Sequence, residues 1–207
     1  MKLICKKDVI GLSAETDEER SICTLLAATD GHVFRLHSKS GRGLAFSSLG
    51  PQADACREPL NITRSSEARY EPISNLARTP FEFDGMRYES IEGFWQGLKF
   101  ADPERRRTIA GLWGIVARKS GMSARGLSTF HYGDRTIVSG SPGHWALMRS
   151  ACEAKFNQHA GARAALLGTG QRWLTHRVRK DSFTIPGAVM AQIWMDIRRN
   201  LQNAGGQ

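Results

Sequence analysis

Apolar positions recur along the chain at two spacings, and each spacing predicts a kind of element. Residues 14–28 read as a helix: Ile22, Leu25 and Leu26 supply an apolar stripe, and Thr16 with Glu19 has the spacing of a capping box. HVFRLHS and GLAFSSL read as two strands around the turn-like stretch Lys39–Arg42. Gln52 to Tyr70 is less regular and ends near Pro72. PFEFDGMRY carries the best hairpin signal, because Phe81 and Phe83 alternate with polar neighbours, Asp84-Gly85 is a favoured two-residue turn, and Met86-Arg87-Tyr88 resumes the alternation. Ser90 then caps a helix in which Ile91, Phe94, Trp95 and Leu98 fall at i, i+3, i+4 and i+7.

Asp102-Pro103, a cap residue followed by a first-turn proline, starts the next predicted helix, whose stripe is Ile109, Leu112, Trp113 and Val116. Residues 121–140 are rich in Gly and Ser and carry a hairpin signal at Gly133-Asp134. Ser141-Pro142 repeats the cap-plus-proline start and opens a helix through about Asn157. Alanine-rich 162–168 continues as helix after a kink near Gly161. A last helix runs from about Pro186 to Gln202 with Met190, Ile193, Trp194, Ile197 and Leu201 inward, and the tail NAGGQ is frayed. No internal repeat is evident. The fold class expected is α+β, predominantly helical, with short β-hairpins feeding the helices. Residues 1–69 are expected to form an N-terminal extension, helix plus strands, packed on a core domain of residues 70–207; a separate domain of that size would bury a thin core.

Composition narrows the function classes. The 207 residues are 41% hydrophobic and 24% charged, an ordinary globular mix. Lys+Arg number 29 against 20 Asp+Glu, a formal net charge of +9 that favours an anionic partner. The excess is uneven: residues 1–69 carry 10 basic and 9 acidic side chains, residues 70–207 carry 19 and 11. No apolar run approaches the ~20 residues of a membrane helix, so no membrane partner is expected. The opening MKLICKKDVI has no apolar core of signal-peptide length. Cys5, Cys23, Cys56 and Cys152 show no C-x-x-C spacing and read as free thiols in a reducing cytoplasm. P-loop, G-x-G-x-x-G, G-x-S-x-G and H-E-x-x-H patterns do not occur.

The predicted helix 91–100 has a second stripe. Glu92, Gln96 and Lys99, at i, i+4 and i+7, share one face next to the apolar one. That face reads either as solvated surface or as a carboxylate, an amide and an ammonium lining a cleft edge. A carboxylate beside a cation can stay ionised, face developing positive charge, or take a proton from water.

The order ISN, PFEFDGMRYESIEGFWQGLKF, then LMRSACEAKFNQHAGARAALLGTG resembles the NADAR (YbiA-like) family over about residues 70–170, roughly half the chain. The family pattern is S-N-F, P-hydrophobic-x-hydrophobic-D-G, S-x-E-x-x-x-Q-x-x-K-F, and an M-x-x-A-x-x-x-K-F-x-Q helix leading to an L-L-x-T-G-like segment. The resemblance implies a NADAR/YbiA-like fold and cleavage of N-glycosidic bonds without metal or cofactor. The substrates it implies are phosphorylated ribosylamino-pyrimidine intermediates of riboflavin biosynthesis or ADP-ribose on modified guanine, so ADP-ribosylated DNA is a candidate partner. By analogy with glycoside hydrolysis, a carboxylate stabilises the cationic ribose or activates water opposite the leaving base. Glu92 matches the motif carboxylate. Lys99 would hold a phosphate or tune Glu92, Gln96 matches the motif glutamine, and Ser74-Asn75 would bind ribose hydroxyls or a base edge. Trp95 either stacks on a base or packs in the core. Lys155 matches the later K-F lysine and either binds substrate or lies exposed.

The resemblance also has departures. Many members carry a Glu after the L-L-x-T-G-like segment, and a Trp-Gly followed by G-x-N-x-L-G before the last helix. Here His176 lies about where the Glu would be, and Asp181, Ser182 and Phe183 occupy the loop. His176 and Asp181 are therefore further catalytic candidates, flanked by Arg177, Arg179 and Lys180. CREPLNIT, with Arg57, Glu58 and Asn61, either adds ligands to the cleft or is a surface loop. The leading expectation is an N-glycosidase. Two alternatives stand beside it: a non-catalytic module binding ADP-ribose, NAD or modified nucleic acid, and a basic nucleic-acid binder with no small-molecule site.

Overall fold

A computed structural model describes residues 2–6, 9–27, 32–40, 43–51, 59–63, 67–124 and 126–204. The chain divides into two compact units, residues 1–57 and 58–207.

In the first unit, β1 (Lys2–Lys6) and β2 (Val9–Ser13) pair antiparallel, a hairpin the periodicity did not announce. Helix α1 (Asp17–Ala27) starts at the predicted capping box: Thr16 Oγ1 accepts from the Glu19 amide at 3.2 Å, and Glu19 Oε2 accepts from the Thr16 amide at 3.2 Å. The two predicted strands are β3 (His32–Ser40) and β4 (Gly43–Pro51), an antiparallel hairpin with two register shifts.

The second unit opens with β5 (Leu60–Asn61) and a 3-10 turn over Ala68–Ile73. The predicted hairpin follows as β6 (Phe81–Phe83) and β7 (Met86–Tyr88). Its turn residues Asp84 and Gly85 both have positive φ, 48° and 74°, the geometry a tight two-residue hairpin needs. Helix α2 (Ile91–Leu98) begins where expected, with Ser90 Oγ accepting from the Gly93 amide at 2.9 Å. Its apolar face carries the core: Phe94 is fully enclosed and meets Phe83, Tyr88 and Tyr132, edge-on in each case.

Helix α3 (Pro103–Ala110) starts at Asp102, whose carboxylate accepts from the Glu104 amide. The expected continuous stripe to Val116 is corrected here. The helix stops at Gly111, and α4 (Gly114–Ser120) begins after a Gly114 held at φ 62°. Trp113 and Val116 end up on the exposed side of the break. The start of α2 accounts for the interruption. Glu89 donates its amide to the Ala110 carbonyl at 2.8 Å, and Ser90 Oγ donates to the Leu112 carbonyl at 2.9 Å. These bonds satisfy carbonyls that a continuous helix would have used internally.

The strands β8 (Thr129–Tyr132) and β9 (Arg135–Val138) form the second predicted hairpin. Helix α5 (Pro142–Gln158) and helix α6 (Ala160–Leu167) are separated at His159 rather than Gly161. His159 ends one helix and caps the next, its Nδ1 accepting from the Ala162 amide at 3.1 Å. A short β10 (Leu174–Thr175) pairs parallel with β5, a contact across more than a hundred residues that no local pattern announces. Helix α7 (Gly187–Ala204) closes the core with Met190, Ile193, Trp194 and Ile197 buried as expected and Leu201 half-buried. The predominantly helical α+β architecture with small hairpins is the one the sequence predicts.

Gly93 is where α2 comes closest to the α3–α4 break. A Cβ there would lie 2.7 Å from the Leu112 carbonyl oxygen and 2.9 Å from that of Ile109. Both are backbone atoms that cannot rotate away, so Gly93→Ala is expected to cost about 1–3 kcal/mol as overpacking. Chemical denaturation should show a lower midpoint with an unchanged slope; an unchanged midpoint would mean the contact is not close.

Candidate functional site

The polar face predicted on α2 exists as a hydrogen-bonded ladder. Gln96 donates from Nε2 to Glu92 Oε1 at 2.7 Å and accepts at Oε1 from Lys99 Nζ at 2.6 Å. The amide of Glu92 donates to the carbonyl of Asn75 at 2.8 Å, so the Ser74-Asn75 turn and the first turn of α2 are tied together. Glu92 is not a solvated surface acid. Burial raises its pKa above the usual carboxylate value; the Gln96 hydrogen bond and the positive charges of Arg118, Lys99 and His176 oppose the rise. Those opposing causes place His176 and Arg118 in the field of the carboxylate. Arg118 carried no sequence signal.

Each rung is packed from behind. Gln96 is buried over Gly121, where a Cβ would fall 1.7 Å from Gln96 Oε1 and 2.6 Å from its Cδ, so the ladder depends on a residue with no side chain. Lys99 Nζ sits 4.9 Å from the centroid of the Trp95 ring. Trp95 in turn lies 4.4 Å from the fully buried ring of His144 and edge-on to Phe130. Of the two readings of Trp95, packing is the one these contacts describe. Burial first, and the Lys99 charge second, push the His144 pKa down to about 4, so the imidazole is neutral at ordinary pH. Its Nδ1 accepts from the Gly140 amide at 3.0 Å, which puts the ring hydrogen on Nε2, a buried atom without a partner among the described residues.

Asn75 donates from Nδ2 to the Met190 sulfur at 3.1 Å, and its Oδ1 is buried without a hydrogen-bond partner among the described residues. Ser74 is buried, and its Oγ accepts from the Leu76 amide. His176 is half-buried, edge-on to Trp194, with Nδ1 2.6 Å from the carbonyl oxygen of Ile62. A carbonyl only accepts, so Nδ1 carries the hydrogen and Nε2 is the atom left for proton exchange. Asn61 secures this stretch: its Oδ1 accepts from the Arg177 amide at 2.7 Å and its Nδ2 donates to the Arg177 carbonyl at 3.1 Å. That member of the CREPLNIT cluster holds backbone; Arg57 and Glu58 lie outside the described residues.

Two expected site residues have different roles in the structure. Lys155, expected to touch substrate or lie exposed, is fully enclosed and donates to the carbonyls of Ile73 at 3.1 Å and Ser74 at 3.0 Å. It supports the Ser74-Asn75 turn from below. Asp181, an expected catalytic acid, accepts the Gly187 amide at 2.9 Å and the Ser182 amide at 2.8 Å. It therefore acts as a cap at the start of α7. The described residues contain no cluster of three or more potential metal ligands. His176 lines a cavity of about 440 Å³ between the 173–178 segment and α7, and Ser74 lines one of about 220 Å³ beside Trp113; Glu92 lines neither.

The family model described as bacteriophage protein GP30.3 matches residues 69–188. A 17.1 kDa protein from the Gp30–rIII intergenic region of Enterobacteria phage T4 is 32% identical over 109 residues, 51% of this chain and 72% of that protein. N-glycosidase YbiA of Escherichia coli K12 is 29% identical over 121 residues, 58% of this chain and 70% of that protein. The NMR structure of E. coli YbiA superimposes with a TM-score of 0.53 at 24% identity, covering 73% of this chain and 90% of that one, a likeness of fold.

Burial penalises the Lys155 cation, whose pKa falls to about 8 from an ordinary 10.5. The folded state therefore releases the proton before the unfolded state does, and stability should rise with pH between those two values. Lys155→Met removes that rise and leaves the two carbonyls unpaired, which is expected to cost about 1–3 kcal/mol for each buried acceptor. Denaturant unfolding at pH 7 and pH 10 measures both effects. Parallel pH dependence in the two proteins would contradict the assignment.

Proposed function

The chain belongs to the family described as bacteriophage protein GP30.3, a family of the NADAR (YbiA-like) type, and from that premise we propose that it is an N-glycosidase acting on an anionic ribose conjugate. The substrate class is a phosphorylated ribose or ADP-ribose joined to a base through nitrogen. ADP-ribosylated guanine, free or in DNA, and a ribosylamino-pyrimidine phosphate are its two candidate forms. The observation that carries the reading is the half-buried Glu92 carboxylate on the first turn of α2, held by Gln96, which Lys99 holds in turn.

In the proposed reaction the bond between the ribose anomeric carbon and the base nitrogen breaks, and a bond from that carbon to a water oxygen forms. Positive charge builds on the ribose as the base departs. An ionised Glu92 opposes that charge and accepts a proton from the attacking water. The Gln96 amide orients the carboxylate, and the Arg118 and Lys99 charges favour its ionised form against the effect of burial. His176, with Nδ1 committed to the Ile62 carbonyl, supplies a proton to the leaving base through Nε2. Asn75 Oδ1, buried without a partner among the described residues, is available to a ribose hydroxyl. Lys155 and Asp181 act through the backbone they hold and are positioning residues.

The test is release of free base from ADP-ribosylated guanine DNA and, separately, from ribosylamino-pyrimidine phosphates. Glu92→Gln is expected to lower the rate by about 10²- to 10⁴-fold with unchanged circular dichroism. Since the active form is the carboxylate and its pKa is raised, the wild-type rate should fall on acidification at a pH above the ordinary value of 4.5. Tight ADP-ribose binding with no base released from either substrate would instead make the chain a binding module.

A further inference from the structure

Asn61 has a side chain that stands in for a strand. β5 is two residues long, and its parallel ladder with β10 is as short. The main chain supplies two bonds: the Leu60 amide donates to the Trp173 carbonyl at 2.8 Å, and the Ile62 amide to the Thr175 carbonyl at 2.9 Å. Asn61 carries the ladder one step further with its side chain. Its Oδ1 accepts from the Arg177 amide at 2.7 Å and from Thr175 Oγ1 at 3.2 Å, and its Nδ2 donates to the Arg177 carbonyl at 3.1 Å. A side-chain amide offers the same donor and acceptor as a peptide group, which is why asparagine can extend a ladder in this way. Thr175 and Arg177 are both anchored, and His176 lies between them.

This bracket brings the His176 ring to the Ile62 carbonyl, with Nδ1 2.6 Å from the oxygen. Two lone pairs do not face each other at that distance, so Nδ1 keeps its hydrogen in the neutral ring as well as in the charged one. A neutral histidine in water prefers the other tautomer, with the hydrogen on Nε2. The ring is also held from α7, where Trp194 packs edge-on with 5.4 Å between ring centroids and Gly187 lies against the His176 carbonyl. The proposed proton delivery uses this arrangement. As the glycosidic bond breaks, its electron pair goes to the base nitrogen, and that nitrogen takes the Nε2 hydrogen of the imidazolium. The neutral ring left behind is the Nδ1–H tautomer that the Ile62 carbonyl already holds.

We infer that Asn61 is a positioning residue of the proposed reaction: by clamping Arg177 it keeps His176 against the Ile62 carbonyl and so fixes the tautomer that delivers a proton from Nε2. The inference deepens the N-glycosidase reading and rests on it. Asn61 acts through backbone and is exposed, so replacing it opens no void in the core.

Nitrogen-15 NMR of the imidazole side chains in the full chain, at pH 9 and so above the ordinary imidazole range, reads the tautomer directly. The signals missing from His176→Gln identify the residue. His176 should be the Nδ1–H tautomer in the wild type and a mixture with the Nε2–H form in Asn61→Ala. In the base-release assay Asn61→Ala should lower kcat about 10- to 100-fold with KM and circular dichroism unchanged. The double variant Asn61→Ala, His176→Gln should lose no more than His176→Gln alone. The inference is overturned if Asn61→Ala and the wild type show the same tautomer, or if the two losses of activity multiply in the double variant. A wild type that releases no base overturns the N-glycosidase reading and the catalytic role with it, whereas the tautomer comparison stands apart from turnover and decides whether Asn61 orients the ring.

Discussion

A carboxylate partly withdrawn from water has to be met by hydrogen bonds and opposite charge, and the structure around Glu92 is organised by that requirement. Gln96 gives it a hydrogen bond, Lys99 steadies Gln96, and the charges of Lys99, Arg118 and His176 act on it from different segments. Each of those groups is itself constrained. Gln96 lies against a glycine that leaves it room, Lys99 rests over Trp95, and Trp95 rests on an imidazole kept neutral by burial. A neutral His144 adds no positive charge beside Lys99, so the ammonium remains the cation of that corner.

The second support is the turn that precedes the hairpin. A buried ammonium, Lys155, holds the carbonyls of Ile73 and Ser74, and the next carbonyl, that of Asn75, receives the Glu92 amide. Helix α5 thereby fixes the position of the first turn of α2 through three consecutive backbone oxygens. On the other side, β5 and Asn61 fix the segment that carries His176. Gly187, at the start of α7, approaches that segment so closely that a Cβ would fall 2.1 Å from the His176 carbonyl oxygen. The Glu92 carboxylate and the His176 imidazole thus sit on separately braced elements, as a site that must keep its geometry requires.

What was legible in the sequence is what depends on neighbours within one or two turns. The caps at Thr16, Ser90, Asp102 and Ser141 and the two hairpin turns all lie within four residues of their partners. The ladder from Glu92 to Lys99 is a matter of helical period, and motif order identified the family over the same stretch. The contacts that convert a helix face into a site are long-range and left no local trace. Gly121 lies beyond two further helices, Asn61 meets Arg177 across 116 residues, and Lys155 meets the Ile73 carbonyl across 82. The same limit explains the α3–α4 break. The stripe through Val116 has the right period for a helix, yet the bonds that interrupt it come from Glu89 and Ser90. An exposed-looking lysine in a K-F motif gives no sign that its ammonium will be enclosed.

The central claim is that Glu92 is a half-buried carboxylate whose pKa is raised by desolvation and held down in part by the Gln96 ladder. Carbon-13 NMR titration of the Glu92 side-chain carboxyl, in the wild-type protein and in Gln96→Leu, measures this directly. The account predicts a wild-type value above the ordinary 4.5 and a higher one still in the variant, because the largest opposing cause is removed. An ordinary value in the wild type, or an identical value in the two proteins, would contradict it.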